Sequence, residues 1–156
     1  MPFAPHILQN DSLRIGFGDE TAGFPCAGIE NLLAGGERFV YPRDGMPGLW
    51  KIEFRSLPSS TAGIKTRSGE LDTKLEYPEG VQLDNRSACR RSVKRTHKGK
   101  AEVLTFEWKG MDLPEEPRAV DLRVEVSLAP GRGASEWRIA VANRSSRLGV
   151  WHVFFP

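Results

Sequence analysis

The sequence predicts an all-β chain folded as an antiparallel β-sandwich, and three observations carry that expectation. Apolar and polar residues alternate with period 2 along several short segments. No window holds a sustained apolar stripe at the 3.6-residue spacing of a helix. The 16 glycines and 11 prolines are scattered between the alternating segments, with no repeat. Period 2 puts one face of a strand in a core and the other in water, and short strands separated by turn signals make a sandwich or a barrel.

Taken in chain order, Leu13, Ile15 and Phe17 alternate with Arg14 and Gly16. Trp50, Ile52 and Phe54 share a face within 49–54, and a strand over 103–108 opens after the turn Lys98-Gly99-Lys100. Weaker strands are expected over 28–33, 74–77, 81–84 and 87–96. Leu122, Val124, Val126 and Leu128 point one way, while Asp121, Arg123, Glu125 and Ser127 point the other. Trp137, Ile139 and Val141 repeat the pattern, and the segment APGRGAS between the two runs makes them a hairpin or neighbouring pair. Residues 150–155 are apolar on both faces apart from His152, which reads as a polar interruption of a buried strand. The core predicted from these faces is Trp50, Leu122, Val124, Val126, Trp137, Ile139 and Val141, with Trp151 beside them.

A chain of 156 residues fits one domain spanning 1–156 and buries enough surface to need no covalent staple. Its apolar end, VWHVFFP, reads as a strand leading into the rest of a longer protein, or as a central strand that closes the domain. The first residues lack the basic and apolar regions of a signal peptide, and no apolar run reaches the roughly 18 residues that span a bilayer. With 22 Lys and Arg against 20 Asp and Glu, the net charge of +2 gives little general pull toward nucleic acid or anionic lipid, so neither is expected as a partner. Cys26 and Cys89, outside any CxxC, read as two buried thiols or as one bridge.

Catalytic and metal motifs are missing from the sequence pattern. His6, His97 and His152 are widely spaced and outside any metal-ligand pattern, so no metal or other cofactor is expected; His6 and His97 read as exposed. There is no nucleophile elbow, and Gly16-Phe17-Gly18 lacks the third glycine and the helix of a phosphate loop. No catalytic residue is assigned, and hydrolysis or lyase turnover by this chain alone is not expected. Carbohydrate contact is the chemistry that the residues leave open. Trp108, flanked by Glu107, Lys109 and Gly110 at a strand end, and Tyr41, in a turn-rich segment, could each lay a ring against the apolar C–H face of a sugar. Glu115 and Glu116 belong, with Asp112, to the one local acid cluster, in a segment that otherwise reads as an exposed acidic turn. Glycoside hydrolysis needs two carboxyl groups at a set separation, which the sequence alone does not place.

Two stretches carry a family resemblance. SLRIGFGDETAGFPCAGIENLLAGGERFVYP (12–42) and EWRIAVANRSSRLGVWHVFFP (136–156) resemble the N-terminal β-sandwich domain, of the galactose-mutarotase-like supersandwich group, of large glycoside hydrolases and related proteins. The resemblance covers the two ends of the chain, and the middle matches only as generic strands. It implies a non-catalytic accessory domain whose partners are carbohydrate and the remainder of a parent enzyme. The paired histidine and glutamate of true mutarotases have no matching motif. An independent carbohydrate-binding module with an aromatic platform, and a small polysaccharide-degrading enzyme with a dispersed site, stay open as alternatives.

The stretch from Arg86 to Lys100 packs seven cations into fifteen residues, but no aromatic is interleaved to stack bases. It reads as a solvated strand edge, where Lys and Arg discourage edge-to-edge pairing. Nucleic acid should therefore bind at about micromolar strength or weaker at physiological salt, and binding should vanish steeply as salt rises. Sequence-selective binding that survives added salt in a titration would contradict this reading.

Overall fold

Alternation along the chain becomes eleven strands in a computed structural model that describes residues 4–40, 48–56 and 80–155. They are β1 (His6–Gln9), β2 (Leu13–Phe17), β3 (Cys26–Asn31), β4 (Glu37–Val40), β5 (Lys51–Ser56), β6 (Val81–Asp84), β7 (Arg90–Lys98), β8 (Ala101–Leu113), β9 (Glu116–Leu128), β10 (Ser135–Asn143) and β11 (Leu148–Phe154). No helix occurs among the described residues, and none is long and apolar enough to cross a membrane. The expected strand over 74–77 and Tyr41 lie outside the described residues.

The strands form three antiparallel sheets, ordered β1-β2-β3-β4, β10-β9-β8-β7 and β11-β5-β6. The first two are meanders, each strand pairing with its sequence neighbour. The third brings β11 back beside β5, with Phe154 opposite Lys51. All three contribute inner faces to one core, the packing expected of a β-sandwich. Phe17 of β2 meets Phe106 of β8 at 4.8 Å between ring centroids, Phe24 meets Phe106 at 5.0 Å, and Trp50 crosses Trp108 edge-on at 5.4 Å. Such tilted and edge-to-face pairs are the favoured aromatic geometries.

Trp108 corrects the expectation of an exposed strand-end ring. It is fully buried, and its indole Nε1 donates to the main-chain carbonyl of Asn85 at 3.0 Å. Glu107 and Lys109 beside it are solvent-face residues of a strand in the interior of its sheet, so polar flanks here report the opposite face rather than an exposed end. Asn85, itself fully buried, ties the junction together: its Nδ2 donates to Gly23 O at 2.9 Å and its N–H to Trp50 O at 3.3 Å. Gly23 sits at φ +75°, and a Cβ there would lie 2.0 Å from the Asn85 carbonyl oxygen, so only glycine fits.

Trp50, Leu122, Val124 and Val126 are buried as expected. Trp137, Ile139 and Val141 are only half-buried, a correction with a simple cause: β10 is an edge strand, covered from one side. Trp151 departs further, at 46% exposure, because β11 is the edge of the three-stranded sheet. His6 is half-buried rather than exposed, edge-on to Phe24 and Phe106 at 5.7 and 6.4 Å. Cys26 and Cys89 are free, half-buried thiols.

Replacing Trp108 with Ala should cost about 3–5 kcal/mol, the usual loss for a buried large aromatic, and Trp137→Ala distinctly less. Equal losses in chemical denaturation would contradict the burial difference. Burial, and then the nearby charge of Arg95, hold the His6 pKa below its usual 6.5. The folded state therefore binds fewer protons than the unfolded chain, and stability falls as pH drops through 6.5 toward the lowered value. His6→Gln should flatten the thermal-melting profile across that window, where carboxylates have not begun to titrate. An unchanged slope would remove His6 as the cause.

Candidate aromatic platform on the three-stranded sheet

The alternation of β5 sends Ile52 and Phe54 inward and leaves Lys51, Glu53 and Arg55 on the outer face. β11 is laid against β5 with a register shift between Val150 and His152, so Trp151 is the bulged residue. A bulge re-aims the side chain it carries. Here it leaves both Trp151 and His152 on the outer face, with Arg55 over the Trp151 ring at 5.0 Å, while Lys51 stands over Phe154 at 5.1 Å. The rings form a continuous row: Trp151 to His152 at 5.7 Å and His152 to Phe154 at 6.0 Å between centroids. Trp151 and Phe154 are each 46% exposed.

Glu53 is the polar centre of this face. Its Oε1 accepts from Gln82 Nε2 of β6 at 3.0 Å, and its Oε2 lies 3.2 Å from His152 Nδ1. The contact with His152 holds the Glu53 carboxyl below the ordinary glutamate range, and Lys51, at 3.7 Å, works in the same direction. The carboxylate stays ionised over the physiological range and presents acceptors between two exposed rings. Chemically, the face combines apolar ring area with a fixed acceptor, an amide and an imidazole.

The residues singled out from sequence lie elsewhere. Trp108 is inside the core and offers no face to a ligand. Glu115, in the turn between β8 and β9, and Glu116, the first residue of β9, diverge. Glu115, at φ +64°, pairs with Arg147. Glu116 accepts from the Ser145 hydroxyl and, at 3.0 Å, from Ser146 N and Oγ, fastening the turn to the β10–β11 connection. The Ser145 hydrogen bond is the main cause that lowers the Glu116 pKa. Asp112 receives Arg118 N at 2.8 Å, so the three acids do not converge on one point.

The outer face of the β10-β9-β8-β7 sheet carries a shallow cleft of about 340 Å³, lined by Lys98, Ala101, Glu125, Ser127, Arg138 and neighbours. It has no ring. Its cation Lys98 and carboxylate Glu125 are joined at 3.0 Å. Among the described residues no cluster of three or more His, Cys, Asp or Glu is arranged to hold a metal ion. The signal that could have found the platform was in the sequence: VWHVFF is apolar on both faces, and a strand buried on both sides is not the only structure that such a run can form. No family model, curated protein or solved structure matches the chain.

Proposed function

We propose that this chain is a non-catalytic β-sandwich module that binds carbohydrate across the Trp151–His152–Phe154 row, as the accessory domain of a carbohydrate-active enzyme. The observation that carries the reading is the pairing of two half-exposed aromatic rings with the Glu53 carboxylate on one sheet face. A sugar ring has an apolar C–H face and a polar rim. The first stacks on an aromatic ring, and the second hydrogen-bonds to fixed acceptors and donors such as Glu53, Gln82 and His152. Rings on a rigid sheet lose little entropy when they bind, which suits weak binding of an extended polymer.

In affinity electrophoresis against a polysaccharide panel, at least one neutral polysaccharide should retard the chain. Trp151→Ala and Phe154→Ala should each weaken that retardation about tenfold or more. Both variants should melt close to the unaltered protein, because half-exposed side chains contribute little to stability. The reading fails if no polysaccharide is bound or if the ring variants bind unchanged. New reducing ends or unsaturated products that disappear in Glu53→Gln would replace the non-catalytic reading with an enzyme.

A further inference from the structure

We propose that a hollow at the β8 bulge binds an oxyanion, the sulfate or carboxylate group of an acidic polysaccharide. The hollow, of about 640 Å³, is lined by Arg90, Lys109, Gly110, Arg118, Asp121 and Arg144. The register of β7 and β8 sets Arg90 opposite Lys109. Beyond Trp108 the pairing of β8 with β9 shifts, and Gly110 takes φ +74°. Its N–H donates to Asp121 Oδ1 at 2.8 Å, and the other Asp121 oxygen accepts from Arg144. Arg118 stands at φ +53°, unusual for a residue with a side chain, and its stem passes 3.6 Å from where a Cβ on Gly110 would be. The bulge thus gathers four cations around one carboxylate.

That carboxylate is already committed to Arg144, and Lys109 leans toward Glu107 at 3.4 Å. The guanidinium groups of Arg90 and Arg118 make no hydrogen bond or ion pair among the described residues. Two such groups beside a surplus of positive charge offer paired N–H donors matched to an oxyanion. Three of the other cations flagged over 86–100 are already engaged within the fold. Arg91 is held by the carbonyls of Arg86 and Ser87, Arg95 by Glu102 and the Ile7 carbonyl, and Lys98 by Glu125. The lining has no ring on which a base could stack. A discrete charge on a spaced polymer fits this arrangement better than a continuous phosphodiester chain. The saccharide class rests on the ring-platform reading; the oxyanion site does not.

The experiment measures binding of the full chain to dextran sulfate, polygalacturonate, unsubstituted dextran and single-stranded DNA at physiological salt, with inorganic sulfate as competitor. Arg90→Ala/Arg118→Ala is compared with the charge-matched pair Arg86→Ala/Lys94→Ala. Dextran sulfate or polygalacturonate should bind, and sulfate should compete. The hollow variant should lose roughly tenfold or more, and the control less than about twofold. Equal losses in the two variants would reduce the effect to general charge and overturn the site. So would DNA binding as tight as that of the acidic polysaccharides, or no binding to any polyanion. A chain that holds dextran sulfate through Arg90 and Arg118 but no neutral polysaccharide upholds the hollow and refutes the platform.

Discussion

The indole N–H of Trp108 lies in the middle of the apolar core, where an unpaired donor would cost about 1–3 kcal/mol. Asn85 removes that cost by turning its main-chain carbonyl inward, and much of the architecture follows from this contact. Asn85 opens the turn after β6, Trp50 leads into β5, and Gly23 lies in the connection between β2 and β3. Holding all three at one point fixes the connections of two sheets against the central strand of the third. The crowding is severe: a Cβ on Gly48 would lie 1.9 Å from Asn85 Oδ1. Two glycines are therefore set by one asparagine. The junction also carries a cost, since Asn85 Oδ1 and Trp50 Nε1 are buried without a hydrogen-bond partner among the described residues.

With that junction fixed, position within a sheet decides what each strand shows to water. The central strands β8 and β9 bury every second residue almost completely. The edge strand β10 has the same alternation but half-buries its inward residues. β11 is also an edge, and its bulge puts two successive residues, Trp151 and His152, on the outer face. Exposed apolar edges are usually blunted by charge or by a bulge. β11 has the bulge, while Lys51 and Arg55 of its neighbour stand over its rings and supply the charge.

The strand pattern was legible because period 2 is a local property. β2 and β6 lie where alternation puts them, and the runs 122–128 and 137–141 fall inside β9 and β10. β1 and β4, which the alternation did not single out, are held by pairing with β2 and β3. What alternation does not carry is layer. It says that Trp108 and Glu107 face opposite ways, not that β8 lies inside its sheet; it says that 150–155 is apolar, not that β11 is an edge. Both tryptophans were consequently misplaced, one in each direction. The hollow was invisible for a related reason: it joins Arg90, Lys109, Arg118 and Arg144, which come together only once a bulge shifts the register.

The return of β11 to β5 has a consequence for how the chain reaches its structure. Each meander can zip from a hairpin, with strands adjacent in sequence closing short loops. The three-stranded sheet cannot do so, since it pairs β5 (Lys51–Ser56) with β11 (Leu148–Phe154), two strands far apart in the sequence. Loop-closure entropy is lost before any contact between them is made, and non-local β pairing of this kind folds slowly. During synthesis β5 must wait for nearly everything after it to emerge before its partner exists. Until then its Ile52 and Phe54 have only β6 beside them, and that interval is when a chain of this topology is most open to capture by chaperones or by other unfinished copies.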